Sequence, residues 1–556
     1  MKKKDNVSCN IGPMLNAYPD SMGGKLGDTV AVLSKDALKD VFQSFYILPS
    51  IYNTDLDRGF SVIDYSLNRE LASAGDLHAL DELNIDLKLD FILNHASVLS
   101  PQFRDLVKNG EKSKYADFFI NWNKFWEGYG EMTEEGYIRP DDKYIKDMFF
   151  RKPGLPILMV RMPDGRDVPY WNTFYQEVKY KAPDTVELMD ITDIQYLEAE
   201  RLSERIKEAL GNGVKPGDID FTGYEGYRET VVGYLESHRQ YLGQMDLNIH
   251  SDLVWEHYRN TLKQLSEYGA RIVRLDAFAY APKAPGKKNF LNEPETWDVL
   301  EKVRKIASGY GLSLLPEIHA AYNEGIYETV AGKGYMTYDF FLPGLLIYAI
   351  EKHSPDALSE WANEIISKDM RVVNMLGCHD GIPLLDLKGI LGEEDIRGLI
   401  DLIVSRGGYV KDLHGKKNMY YQVNATYYSA LGEDDRKMLF ARAIQMFMPG
   451  KPQVWYLDLF AGRNDHDAVA RAGAGGHKEI NRTNLSLDRI DEALEKDVVR
   501  KQIDLLRLRN THPAFSWDSR ISVTTEGSRI YFRWEKDEHS INLNADFSDY
   551  SYTIVK

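Results

Sequence analysis

Three apolar runs in this chain end in or lead directly to an acidic side chain. RIVRLDAFAY carries Asp276, GLSLLPEIH carries Glu317 and RVVNMLGCHD carries Asp380. A short, β-branched apolar run reads as a strand buried on both faces, so a carboxylate after it emerges where strand meets loop. If the strands belong to one parallel barrel, their ends share a face, and the three acids converge there with His95 and His379. Converging carboxylates suit the cleavage of a glycosidic bond with retention. One attacks the anomeric carbon, while a second, its pKa raised, protonates the leaving oxygen from about 5–5.5 Å away. Carboxylates and histidines equally suit a metal site, and spacing alone does not choose between the two.

Each residue also has a bland reading. A lone acid at a strand end commonly caps a helix or pairs with a base. Arg274 precedes Asp276 by two positions and so shares its strand face; it is either a structural ion-pair partner or the group that keeps Asp276 ionised. His95 by itself reads as a core histidine, and the aromatics of 118–130 as a subdomain core. The combination carries the functional case.

These residues need a repeating α/β framework to bring them together. VFQSFYILP and IDLKLDFILNH read as strands, with DTVAVLSKDAL as a helix between them. Tyr258, Leu262 and Leu265 form a helical stripe that ends at Gly269. Trp297, Leu300, Val303 and Ile306 form another that closes near Gly309. YMTYDFFLP, RVVNMLGCHD and PQVWYL supply further strands. The strand candidates number about eight, and a parallel (β/α)8 barrel is the natural closure.

The rhythm breaks twice. The barrel is expected to occupy 1–95, 251–381 and 433–515, with an inserted subdomain over 96–250 and a second insertion over 382–432. Within the first insertion, 195–210 and 225–240 read as helices of an extra segment at about 180–240. In the second, Gly, Lys and Tyr stand where periodic apolar positions would be expected. Alternating runs after Phe515 (ISVTTEG, RIYFRWE, SINLNA) predict a small antiparallel β domain over 516–556.

Composition narrows the function classes. With 556 residues, 43% of them apolar, the chain can bury a large core. A formal charge of −17, from 68 basic and 85 acidic residues, argues against nucleic acid or an anionic membrane surface as partner. The two cysteines, Cys9 and Cys378, allow no disulfide framework or zinc cluster and fit a reducing, cytoplasmic setting. The start has the basic residues of a signal peptide without its apolar segment, and no run approaches the roughly 18 apolar residues of a membrane helix.

DFILNH, RLDAFAY, PEIH and CHDG, in that order, resemble the four signature regions of the α-amylase superfamily, glycoside hydrolase family 13. AYPDSMGG, DRGFSVIDY, YQVNATYYSALG and PQVWYLDLFAGRND followed by INR resemble its sucrose phosphorylase branch, so the similarity spans nearly the whole chain. The resemblance implies a (β/α)8 TIM barrel with inserted B and B′ subdomains and a small C-terminal β domain. Asp276 would be the nucleophile, Glu317 the general acid and base, and Asp380 the stabiliser of the oxocarbenium-like transition state. Arg274 would orient Asp276, while Asp57, Phe60, His95, Gln244, His379 and Arg482 would line the glucosyl pocket. Tyr280, His319, Tyr421 and Gln422 would serve the departing or incoming acceptor. Glucose would pass from sucrose or a related α-glucoside to inorganic phosphate, giving α-D-glucose 1-phosphate, with no cofactor and no metal.

Departures from the pattern fall on the acceptor side. The expected phosphate-binding arginine is replaced by Lys152, and an acidic position before Tyr-Gln has become Met419, near the basic residues Lys411, His414, Lys416 and Lys417. Lysine cannot reproduce the bidentate geometry of arginine. A long insertion separates Phe174 from Gln244; it is expected near the pocket entrance, where it could reshape the acceptor subsite or mediate a homodimer. The alternatives are an α-glucoside hydrolase, a phosphorylase for sucrose 6′-phosphate or glucosylglycerate, and a catalytically dead scaffold, which the presence of all three acids disfavours.

Overall fold

The computed structural model describes residues 11–148, 150, 154–412, 420–473 and 476–556. Its centre is an eight-stranded parallel sheet: β1 Met14–Ala17, β2 Ser44–Ile47, β3 Asp86–Ile92, β4 Ala270–Asp276, β5 Ser313–Pro316, β6 Thr337–Asp339, β7 Val372–Met375 and β8 Lys451–Trp455. The hydrogen-bonded order is β5-β4-β3-β2-β1-β8-β7-β6. Sequence neighbours are therefore spatial neighbours, and β8 returns to β1. β5 and β6, the two ends of that order, also lie in contact, which gives the (β/α)8 barrel.

Burial on both faces explains why these strands are apolar in unbroken runs. All seven residues of β3 except Asp86 are buried, as are all of β7 and β8. The helices present a single apolar stripe. Helix Asp252–Glu267 buries Val254, Trp255, Tyr258, Leu262 and Leu265, and helix Glu295–Gly309 buries Trp297, Leu300, Val303 and Ala307. β1 was not among the expected strands, because MLNA is too short to show a period. One charged side chain interrupts the core: Lys88 of β3 points inward, its Nζ 2.7 Å from Gln453 Oε1, 2.5 Å from the Tyr338 hydroxyl and 3.8 Å from the Tyr46 ring centroid.

The chain divides into two compact units. One comprises Met1–Asn94, Lys143–Pro153 and Leu247–Lys556, and holds the barrel. The other comprises His95–Asp142 and Gly154–Asp246. In this second unit Gln176–Tyr180, Arg239–Asp246 and His95–Ser97 form one antiparallel sheet, and Ile157–Arg161 pairs with Asp167–Trp171. The helices Thr185–Ile191, Tyr196–Gly211 and Arg228–Ser237 close over a core of their own that includes Leu188, Leu202, Ile206, Phe221 and Leu235.

Between Ile382 and Asn424 the structure corrects one expectation. Glu393–Ser405 is a regular amphipathic helix that buries Ile396, Leu399, Ile400 and Ile403, the i, i+3, i+4, i+7 pattern that its Gly- and Lys-rich flanks obscured. A three-stranded sheet of Ile382–Pro383, Tyr420–Asn424 and Tyr409–Asp412 accompanies it. The strands Arg520–Glu526, Arg529–Lys536, His539–Asp546 and Ser551–Val555 form a four-stranded antiparallel sheet at the C-terminal end of the chain. No helix among the described residues is long and apolar enough to cross a membrane.

An acid at a strand exit need not be catalytic. Asp339 ends β6 fully buried, and its Oδ1 accepts from the backbone N–H groups of Phe341 and Leu342 at 3.2 and 2.9 Å and from Trp361 Nε1 at 3.0 Å. It thereby satisfies the first N–H of the helix Leu342–Lys352, whose N-cap is Phe341. Burial outweighs these three donors and pushes its carboxyl up to about 6. The unfolded value is about 4, so between these pH values the unfolded chain gives up its proton first. Stability from this group is then full below about pH 4 and falls as pH rises toward 6, by about 2–3 kcal/mol. Asp339→Asn should remove that slope: denaturant midpoints at pH 4.5 and 7 should diverge less in the variant than in the parent.

Candidate active site

The site begins with one buried guanidinium. Arg274 lies on β4 directly opposite Asp90 of β3 and Leu315 of β5, and its side chain is only 3% exposed. Nη1 lies 2.5 Å from Asp90 Oδ1 and 3.2 Å from Asp276 Oδ1; Nη2 lies 2.6 Å from Glu317 Oε1. Asp276 is the last residue of β4 and Glu317 follows β5 immediately, so adjacent parallel strands deliver both acids to one end of the barrel. Behind them the Tyr46 hydroxyl donates to Asp90 at 2.8 Å. Asp90, two residues short of its strand end, is legible in the sequence as a polar group near a strand exit but was not among the expected site residues.

Three carboxylates around one cation cannot all stay ionised at low cost. Burial pushes the Asp276 carboxyl well above its ordinary range, beyond what Arg274 offsets, and repulsion from Glu317 and Asp90 adds to it. Burial acts in the same sense on Glu317, but Arg274 and His319 outweigh it and hold that group low. Asp276 and Glu317 titrate as a pair.

Asp380 does not sit on a strand. It lies five residues beyond Met375, the end of β7, in a loop held by three clamps. Asn481 Nδ2 donates to Cys378 O at 2.9 Å, Arg482 Nε to His379 O at 2.8 Å and Asn424 Nδ2 to Asp380 O at 2.7 Å. Gly381 allows the turn: its φ is +103°, and a Cβ there would stand 2.4 Å from Val423 O. The carboxylate meets His379 Nε2 at 3.2 Å, Arg482 Nη2 at 3.4 Å and the Lys478 ammonium. Burial would raise its pKa, but His379, Lys478 and Arg482 together hold it well below the usual carboxylate range. Lys478, in a polar, glycine-rich stretch, was not among the expected residues.

Other expected residues surround this centre. Phe60 stacks on His379 with centroids 5.2 Å apart, and the Arg274 guanidinium lies 5.4 Å from the Phe60 ring. Asp57 is close enough to act electrostatically on Asp276, Lys478 and Arg482. It opens a strained turn, with φ of +51° at Asp57, +47° at Arg58 and +121° at Gly59. A side chain at Gly59 would strike Ser50 N at 2.3 Å. His319 stacks on Phe340 at 3.9 Å, with Nε2 3.7 Å from Glu317 and Nδ1 3.3 Å from buried Asp386. Burial disfavours its charged form, but Asp386 and Glu317 outweigh burial and push His319 up to about 9. Asp386, in a turn with no periodic pattern, was also missed.

Tyr280 packs on Phe290 with centroids 4.8 Å apart, and its carbonyl accepts from Lys283. Gln422 is buried opposite Pro383 on the strand Tyr420–Asn424, whose backbone also includes Tyr421. His95 and Gln244 belong to the second unit, on adjacent antiparallel strands, with His95 4.8 Å from the Phe174 ring. Lys152, His414, Lys416, Lys417 and Met419 lie outside the described residues, and the side chain of Lys411 is likewise undescribed. Among the described residues, no group of three or more His, Cys, Asp or Glu is arranged to hold a metal ion. Arg274, Arg482 and Lys478 supply positive charge beside the acids.

The fork of Arg274 is the feature a lysine cannot copy. Arg274→Lys is expected to lower kcat by about a hundredfold or more with the circular dichroism spectrum unchanged. An unaltered kcat would mean that the guanidinium has no part in aligning the acids.

No family model matches the chain. It is 49% identical over 552 residues to the sucrose 6(F)-phosphate phosphorylase of Ilumatobacter coccineus, covering 98% of this chain and 95% of the relative. It is 30% identical to the sucrose phosphorylase of Streptococcus mutans, covering 98% and 97%. The crystal structure of sucrose 6F-phosphate phosphorylase from Thermoanaerobacter thermosaccharolyticum superposes with a TM-score of 0.79 at 31% identity, covering 99% of this chain and 96% of that one. With four ordered signature regions on a (β/α)8 barrel and relatives matched end to end, this chain is an enzyme of glycoside hydrolase family 13 and belongs to its sucrose phosphorylase branch.

Proposed function

We propose that this enzyme phosphorolyses the sucrose derivative that carries a phosphate on fructose, giving α-D-glucose 1-phosphate and fructose 6-phosphate. Membership of the branch makes a sugar and inorganic phosphate its substrates. The choice of phosphorylated donor rests on one observation, the end-to-end 49% identity with a relative of that specificity.

The geometry supports a two-step route with retention. Asp276 Oδ attacks the anomeric carbon as the bond to the fructosyl oxygen breaks, and Glu317 delivers its proton to that oxygen. The result is a β-glucosyl ester on Asp276. Phosphate then attacks the same carbon from the vacated face, its proton passes to Glu317, and the ester bond breaks to release the α-phosphate. One guanidinium touches both carboxylates and so holds the two acids beside each other. Glu317 must hold the proton at the first step and Asp276 must be ionised, with Arg274 beside both carboxyl groups. Asp380, kept anionic by the cations Lys478 and Arg482 and by its contact with His379, faces the positive charge that grows on the ring. Asp57, Phe60, His379 and Arg482 hold the glucosyl unit. Tyr280, His319, Tyr421 and Gln422 serve the acceptor, where a positively charged His319 suits a phosphate dianion.

Initial rates on sucrose and on its 6F-phosphate, each with and without inorganic phosphate, test this reading. The expected result is phosphate-dependent glucose 1-phosphate, with kcat/KM at least about tenfold higher for the phosphorylated donor. Free glucose formed at the same rate without phosphate would replace the reading with hydrolysis. A preference for unmodified sucrose would remove the phosphorylated donor.

A further inference from the structure

Lys478 has so far appeared only as a counter-charge to Asp380. It lies in the 3-10 turn Gly476–Asn481, between Glu479, which faces Arg58 at 3.4 Å, and His477. The turn is anchored beyond Lys478: Ile480 and Asn481 are buried, the carbonyl of Asn481 accepts from Trp455 Nε1 at 3.1 Å, and Asn481 and Arg482 hold the loop of Asp380. The lysine backbone is therefore placed by the same contacts that place Asp380.

Its ammonium bonds Asp380 Oδ1, the oxygen that Arg482 Nη2 approaches at 3.4 Å, while Oδ2 faces His379. Asp57 also acts on it electrostatically. Its side chain is 26% exposed, more than Asp380 at 17% and far more than Arg482 at 3%, so it opens toward solvent where Arg482 does not. An ammonium has three donor hydrogens and no acceptor. One is committed to Asp380. A purely structural counter-ion for Asp380 would be redundant, since Arg482 and His379 already supply positive and donating groups. Carboxylates that recognise sugars accept from hydroxyl hydrogens, and a lysine between two of them can give its remaining hydrogens to hydroxyl oxygens of the same sugar.

We infer that Lys478 contacts the glucosyl unit directly, donating from Nζ to a ring hydroxyl that also donates to Asp380, and so helps select glucose over sugars lacking that hydroxyl. It is then a specificity residue rather than a scaffold ion pair. A site built to bond a hydroxyl rejects the analogue without it, because buried polar groups are left unpaired. The inference rests on the glucosyl pocket proposed above.

The test uses the full chain with α-D-glucosyl fluoride as donor and inorganic phosphate as acceptor, and with the 2-, 3-, 4- and 6-deoxy derivatives of that donor. Turnover of the parent fluoride by the unsubstituted enzyme checks the pocket itself; if no fluoride is released, the proposed function has failed, and not this inference alone. For Lys478→Met, kcat/KM on the parent donor should fall about ten- to a hundredfold. For one deoxy donor the same substitution should cost much less, since the hydroxyl it served is already gone. The KM for phosphate should not move. Equal losses on all donors, or no loss on any, would overturn the inference. Lys478→Arg keeps the charge and guards against misfolding: a variant with parent-like kcat/KM on the fluoride but an altered ranking of the deoxy donors supports the contact, and an unaltered ranking contradicts it.

Discussion

One buried cation organises this enzyme. Arg274 leaves water to sit among Asp90, Asp276 and Glu317, drawn from three neighbouring strands. Such burial costs several kcal/mol per ion and is recovered only when geometry and hydrogen bonds are satisfied together. The cost fixes a great deal. β3, β4 and β5 must keep their register, Asp90 must be held by Tyr46, and the two acids at the barrel rim are brought within reach of one planar group. Removing any one partner leaves a buried charge unmatched.

The third acid is governed by a different constraint. Asp380 stands on a loop, so its position depends on backbone clamps from Asn424, Asn481 and Arg482, residues brought in from two later parts of the chain. Its charge is set by neighbours on that same loop and turn. The two halves of the site thus differ in kind. The Arg274 side rests on two strands and the residue directly after a third, whereas the Asp380 side is assembled by long-range contacts between loops.

How much was legible follows from this division. Asp276 and Glu317 could be found because an apolar run ends at each, and Arg274 because period two puts it on the same face. The barrel could be counted from its β-branched runs, except for β1, whose four residues show no period. Asp90 was visible as a polar group near a strand exit, but its pairing with Arg274, 184 residues away, was not. Lys478 is 98 residues from Asp380 and Asp386 is 67 from His319, and pairings at such separations leave no trace in local pattern. Asp339 shows the converse: it has the same strand-end signature as Asp276, yet it satisfies the first N–H of a helix. Position at a strand exit locates candidates; only the partners decide their work.

The proposed mechanism makes Asp276 the nucleophile, aligned by Arg274 and served by Glu317 as acid. It is tested most directly by trapping the intermediate. The full chain should be treated with 5-fluoro-α-D-glucosyl fluoride, a donor whose second step is slowed, then digested and sequenced by mass spectrometry. The account predicts a single fluoroglucosyl ester on the peptide carrying Asp276, discharged when phosphate is added. A label on Glu317 or Asp380, or turnover of the donor with no ester on any carboxylate, would contradict it.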